Sequence, residues 1–335
     1  MRSTLSQNRA YRGGQPRSGW PVSVLFVVTM MCGAVVTADP VEVFFLVSKP
    51  TTDYLEVLTT VQKELEAEYP DKYGYTVEFV SEQSAAQSVA SPPMATADLL
   101  VTIVTAAADR AYQYNLGVPI VSALITDSSF TALATKHFGS VDRAFANQVS
   151  SICIDQPTSR SIRLAKLLLP RAKKVGVMLG PSSIELQDQL AKSISDAGMS
   201  PAFVTVGEKD NPIAKIEPLM RNTDVFIPVP DSRLINIATA KWILQLSYRH
   251  KVPVIAFSRT YVKAGALAAI YSSPQNVALQ TAEWIVDTAM ITVGEGQAYQ
   301  PKYYSIHFNY SVASSLDVVI ENEQFYLERL QGGSR

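Results

Sequence analysis

At 335 residues the chain is long enough for two domains of ordinary size. A hydrophobic fraction of 47% and a charged fraction of 18% belong to a folded protein and exclude a disordered one. A formal net charge of -1 leaves no electrostatic footprint for nucleic acid or an anionic membrane surface.

Residues 1–38 have the pattern of a secretory signal. Arg2, Arg9, Arg12 and Arg17 form a basic start without acids, and Val22 to Val36 is apolar apart from Ser23 and Thr29. Val36-Thr37-Ala38 supplies small residues for cleavage, which predicts Asp39 as the mature N-terminus and a periplasmic location. The apolar run is short against the ~20 residues of a membrane span, so a retained anchor is the lesser alternative. Cys32 lies inside this signal. Cys153 is then the one cysteine of the mature chain, which excludes an intramolecular disulfide and reads as a small core residue in an apolar stretch.

A regular alternation of strands and helices follows. Val41–Val47 is a near-continuous apolar run, the pattern of a strand buried on both faces. Tyr54, Leu55, Leu58, Val61, Leu65 and Tyr69 recur at helical spacing. Strands are predicted at 76–80, 98–104, 119–125 and 149–154, with a short helix at 84–89. The pattern then repeats: a helix through Ile162–Leu168, strands at 175–179, 202–206, 224–229 and 252–257, and helices at 184–197, 213–220 and 234–250. Ser258-Arg259-Thr260-Tyr261 reads as a polar turn, and Ala264 to Ser272 as a small-residue run that carries the chain towards the hinge, its small residues suited to close backbone packing at a crossing. A helix over 274–292, a strand at 303–308 and a terminal helix within 312–320 complete the chain. Such alternation implies βαβ units and parallel sheets, here in two similarly built lobes.

The known catalytic patterns are missing. The sequence contains no GxSxG, no GxxxxGK[ST] and no HExxH, and Gly294-Glu295-Gly296 follows a helix, the wrong context for a dinucleotide fingerprint. His137, His250 and His307 are far apart and lack metal-ligand spacing with carboxylates or cysteines, so neither a metal nor a cofactor is expected. What remains is a set of polar loops at the C-terminal ends of predicted parallel strands, where α/β sheets place ligand contacts. They contain Thr105 and Ala106, Thr126 and Asp127, Ser182 and Ser183, Asp231 and Ser232, and Tyr261. Hydroxyls and helix N-termini there suit a small polar or carboxylate-bearing ligand. Asp127 and Asp231, which directly end apolar strands, suit a ligand ammonium. Capping of the following helices explains the same Ser, Thr and Asp residues equally well. Tyr54 and Tyr261 can wall an apolar ligand moiety.

The stretch PVIAFSRTYVKAGALAAIYSSPQNVALQTAEW resembles the C-terminal signature of the uncharacterised-type ABC transporter substrate-binding proteins. ADLLVTIVTAAA, VPIVSALITD, LAKLLLPRAKKVGVMLGPSS, FIPVPDSRLI and KYYSIHFNYSVASSL resemble further segments of that family, in the same order over nearly the whole mature chain. The resemblance implies a type I periplasmic binding protein: an α/β chain of two Rossmann-like lobes with parallel sheets, a three-segment hinge and a ligand closed between the lobes. Residues 39–154 with about 273–300 would form lobe 1, and 155–272 with about 301–330 lobe 2. Carried over residue by residue, Thr105, Asp127, Ser183, Asp231 and Tyr261 are cleft candidates, with Asn309 after the terminal strand as a weaker one. Two departures stand out: Ser151 to Pro157 replaces a Gly-Asn-Ile-Thr-Gly-like hinge segment, and Asp127-Ser128 replaces an Asp-Pro. The expected function is capture of a small polar, amino-acid-like ligand by a monomer that delivers it to an ABC permease in the inner membrane, without catalysis. A periplasmic sensory binder feeding a membrane receptor is the alternative, and a secreted α/β enzyme the third reading.

Overall fold

The computed structural model describes residues 39–80, 93–114, 116–231, 233–290 and 294–331. The predicted signal of residues 1–38 and the predicted helix at 84–89 lie outside them. In chain order the first half contains β1 (Val41–Val47), α1 (Thr52–Glu68), β2 (Tyr73–Phe79), β3 (Leu99–Ile103), α2 (Thr105–Ala111), β4 (Ile120–Ile125), α3 (Asp127–Phe138), α4 (Val141–Ala146) and β5 (Val149–Cys153). Next come α5 (Thr158–Leu168), β6 (Lys174–Leu179), α6 (Gln187–Asp196), β7 (Ser200–Thr205), α7 (Pro212–Met220), β8 (Val225–Phe226), α8 (Ile237–His250), β9 (Ile255–Ala256), α9 (Arg259–Ala264) and β10 (Ala268–Tyr271). The chain closes with α10 (Pro274–Met290), β11 (Ala298–Tyr299), β12 (Ser305–Phe308), α11 (Tyr310–Ser315) and α12 (Glu323–Gln331).

The strands form two lobes. The first sheet runs β11-β5-β4-β3-β1-β2, all parallel. Its inner strands β1, β3, β4 and β5 are buried on both faces, which explains their apolar runs. Successive residues alternate between two cores. Val43, Phe45 and Val47 pack with Val57, Val61 and Leu65 of α1 and with Val277, Trp284 and Ile285 of α10. Phe44 and Leu46 face the other way, onto α2, α3 and α4 through Ala107, Ala111, Phe130 and Ala144.

In the second lobe, β7-β6-β8 and β12-β10-β9 are joined by a parallel bridge between Phe226 and Val254, giving one run of six strands. The same alternation holds. Val175, Val177, Ala268 and Ile270 pack towards α5, α6 and α12, whereas Met178 and Ala269 pack towards α7, α8 and α9. The strand β12 is antiparallel to β10, with Ala268 opposite Phe308.

Three local expectations are corrected. Ser258 to Tyr261 is not a turn: the Ser258 side chain accepts the Tyr261 N–H at 3.3 Å and so starts α9. The small-residue run leads to the hinge at Ser272, but its alanines serve the sheet and not close packing at a crossing. Ala268–Tyr271 form β10, between β9 and β12, with Ala268 to Ile270 fully buried. The terminal helix falls in two pieces, α11 and α12, and α12 buries Tyr326 and Leu330. None of the helices among the described residues is long and apolar enough to cross a membrane.

Candidate ligand cleft and hinge

The C-terminal ends of the two parallel sheets meet. The chain leaves the end of β5 at Ile154 and the end of β10 at Ser272, and the Ser272 hydroxyl donates to the Ile154 carbonyl at 3.0 Å. A third connection, between β11 and β12, runs alongside, and Gln156 gathers all three. Its Nε2 donates to Ser272 Oγ at 2.7 Å and to the Tyr303 carbonyl at 3.3 Å. Arg160 donates to Gln156 Oε1 at 2.5 Å and to the Pro301 carbonyl at 2.8 Å, and its guanidinium lies 4.6 Å from the centre of the Tyr304 ring. The strand-end loops of both lobes therefore flank one stitched hinge, the arrangement in which α/β sheets hold ligands.

On the first lobe, β3 and β4 are neighbours, so their loops bring Thr105, Ala106, Thr126 and Asp127 together. The backbone here is strained. Val104 caps α2 at φ 75° and ψ 158°, a region nearly reserved for glycine. Leu124, at φ 54°, forms a bulge in β4 where the pairing with β5 shifts. Thr126 is occupied as the N-cap of α3: its Oγ1 accepts the Ser129 N–H at 3.2 Å and donates to Ser129 Oγ at 2.8 Å. Asp127 is exposed, and its N–H donates to Asp155 Oδ2 at 2.7 Å. Among the described residues the Asp127 carboxylate itself has no hydrogen bond or ion pair. Burial raises the Asp155 carboxyl above the ordinary range, and the charge of Asp127 adds to this. Tyr54, half-buried near the start of α1, packs against the first core. Just before it, Thr51 Oγ1 is buried without a hydrogen-bond partner among the described residues.

On the second lobe the sequence candidates serve a different purpose. Asp231 is 4% exposed. Its Oδ2 accepts from Ser182 N–H at 3.1 Å and Ser183 Oγ at 2.8 Å, while Oδ1 accepts from Arg233 N–H at 3.0 Å and Leu234 N–H at 3.1 Å. Four donors fill its lone pairs, so the expected ammonium role is replaced by a clamp between the β6 and β8 loops. Ser183, fully buried, also accepts the Gly180 N–H at 3.0 Å and belongs to that clamp. Ser182 is exposed beside it. Ser232 lies outside the described residues.

Tyr261 is buried with the core under α7 to α9, with its ring edge-on to Phe257 at 5.3 Å. Its hydroxyl has no hydrogen-bond partner among the described residues, and burial pushes the phenol up to about 12. Asn309 is removed from the cleft. Because β12 runs antiparallel, Asn309 sits at the opposite end of the sheet, where its N–H donates to the Leu267 carbonyl, Oδ1 caps α11 and Nδ2 donates to the Val262 carbonyl. Cys153 ends β5 at 4% exposure, and burial raises its thiol to about 11, which suits a core residue and no nucleophile. Among the described residues, no group of three His, Cys, Asp or Glu side chains is placed to hold a metal ion. The groups missed by sequence reasoning are Asp155, Gln156 and Ser272, which the hinge brings together with Asp127 and Ile154. All adjoin predicted strand ends, but only the folded chain shows that they meet.

The model of one protein family, described as ABC transporter substrate binding protein, matches residues 41–325. The chain belongs to this family. A tyrosine-binding protein of Clostridioides difficile (strain R20291) is 27% identical over 210 residues, 60% of this chain and 58% of that relative, so the match spans less than two thirds of the relative's length. A ligand-free, open substrate-binding protein with adhesive properties from Clostridium difficile has a TM-score of 0.64 at 20% identity over 84% of this chain and 97% of that one. An ABC domain in complex with L-Trp from Streptococcus pneumonia has a TM-score of 0.52 at 19% identity over 85% and 98%. These likenesses establish the two-lobed binding-protein fold of the substrate-binding protein described here.

Proposed function

We propose that this substrate-binding protein captures an amino acid, with L-tyrosine the first candidate, between its lobes and delivers it to an ABC permease. The observation that carries the reading is the unpaired, exposed carboxylate of Asp127, set at a strand end beside the hinge and backed by Asp155. A carboxylate so placed receives a ligand ammonium as a charge-assisted hydrogen bond. The strained Val104 supports it, since backbone strain concentrates at ligand sites. The tyrosine-binding relative supports the choice of first probe. In this reading residues 1–38 export the chain to the periplasm, where it acts as a monomer without catalysis. Thr105, Ala106 and Tyr54 line the first lobe's side of the cleft, and Ser182 the second lobe's side. Ligand binding shifts the lobes from open to closed by its differential affinity for the closed state.

Isothermal titration with L-tyrosine and with 3-(4-hydroxyphenyl)propionate, which lacks the amine, tests this. The unaltered protein should prefer L-tyrosine, and Asp127→Asn should reduce that preference roughly 10-fold or more. No binding of any proteinogenic amino acid, or an unchanged preference in the variant, overturns the reading.

A further inference from the structure

The second lobe carries an exposed cation at its strand ends beside the hinge. Arg259 opens α9 at the C-terminal end of β9, is exposed, and has no hydrogen bond or ion pair among the described residues. Its position follows from register. β9 pairs with β10 so that Ala256 lies opposite Ala269, which brings the residues after β9 level with Tyr271 and Ser272. Its positive charge is felt at Tyr271, whose phenol it holds down against burial, and at His307 on β12. Ser272 then bonds to Ile154, the neighbour of Asp155, whose carboxylate accepts the Asp127 N–H. Asp127 and Arg259 thus end one short path that passes through the hinge, an unpaired anion on one lobe and an unpaired cation on the other.

We infer that Arg259 is the second lobe's anchor for the α-carboxylate of the ligand, so that a zwitterion bridges Asp127 and Arg259 and draws the lobes together. The inference rests on the proposed amino-acid function and adds to it the residue that reads the acid. A guanidinium suits this task because its fork pairs with both carboxylate oxygens. Arg259 is exposed, so a carboxylate that it pairs with in a closed complex adds to the affinity of that state and favours closure. A ligand with an ammonium but no carboxylate would occupy the first lobe without engaging the second.

The test compares L-tyrosine with tyramine, which lacks the carboxylate, in calorimetric titrations of the unaltered protein, Arg259→Met and Arg259→Lys. The unaltered protein should bind L-tyrosine more tightly than tyramine. Arg259→Met should weaken L-tyrosine roughly 10- to 100-fold while changing tyramine less than about 2-fold, with Arg259→Lys intermediate. Small-angle scattering should show compaction with L-tyrosine in the unaltered protein and little in Arg259→Met. Equal L-tyrosine affinity in Arg259→Met and the unaltered protein overturns the inference alone. An unaltered protein that binds no proteinogenic amino acid overturns the proposed function and the inference together. Parallel losses for L-tyrosine and tyramine assign Arg259 to general support of the cleft and overturn its role as the carboxylate anchor.

Discussion

The Gln156 side chain donates to Ser272 Oγ at 2.7 Å, joining two lobe crossings that are 116 residues apart in the chain. Because Gln156 also reaches the Tyr303 carbonyl and accepts from Arg160, its removal frees groups on all three crossings. Gln156→Ala should lower stability by about 1–3 kcal/mol in urea unfolding. It should also broaden the distribution of lobe separations measured by electron–electron resonance between spin labels. An unchanged distribution would show that the remaining crossings alone set the hinge.

Asp231 predicts a loss of stability before any loss of binding. Asp231→Ala leaves four donors, those of Ser182, Ser183, Arg233 and Leu234, without their acceptor. The expected cost is about 2–4 kcal/mol, since buried unpaired donors pay their desolvation in full. Gly180→Ala should act on the same clamp, because an added Cβ would lie 2.7 Å from Asp231 Oδ2 and 3.0 Å from Leu234 Cβ. Calorimetric melting of both variants checks this, and a melting point within a degree of the parent for Asp231→Ala would refute the clamp.

At Val104 the usual order of substitutions should invert. Alanine keeps the unfavourable φ of 75° and loses methyl contacts, whereas glycine relieves a strain of about 1–3 kcal/mol. Val104→Gly should therefore be more stable than Val104→Ala in urea titration, against the ordinary ranking of the two residues. Alanine proving the more stable would mean that the strain is negligible.

Asp155 gives a prediction in pH. Its folded pKa is raised, by burial first and by the Asp127 charge, so the folded state prefers the protonated acid. That contribution is fully present below the ordinary Asp value of about 4 and is lost as pH rises through the folded value. Asp155→Asn keeps an oxygen to accept the Asp127 N–H and removes the charge. It should be more stable than the parent at pH 7, with the difference shrinking towards pH 4. A difference that stayed constant over that range would assign the effect to packing.

Gly296 is fixed by its neighbour's backbone. A Cβ there would lie 2.2 Å from the Val149 carbonyl oxygen, so Gly296→Ala must push β11 away from β5. Hydrogen exchange should speed up at Ser151, whose N–H donates to the Gln297 carbonyl at 3.0 Å. Unaltered exchange there would show that β11 absorbs the added methyl group without leaving the sheet.

Much of the fold could be read from the sequence because parallel strands buried on both faces leave apolar runs, as in Val43–Val47 and Val175–Leu179. The helix α9 was hidden because Ser258, a helix cap, looks the same as a turn residue in sequence. The strand β10 was hidden because alanines carry little strand preference and owe their place to close packing. At the site, strand ends were legible, but the use of each polar group was not. Asp127 and Asp231 have the same sequence context. Only the approach of Ser182 and Ser183, from a loop nearly fifty residues earlier, distinguishes a filled carboxylate from a free one. Asn309 was misplaced because the direction of β12 is set by pairing and leaves no mark in the sequence.

The threading of the chain through its two sheets also governs how it can be made. The first sheet receives its edge strand β11 only after β10 of the second sheet has been laid down, and the second sheet still awaits β12 and the cover of Tyr326 and Leu330. On the ribosome neither half can be finished before β11, β12 and α12 have been made. Such a chain gains little from vectorial, lobe-by-lobe folding, and the exposed flank of the second sheet must be shielded until α12 emerges.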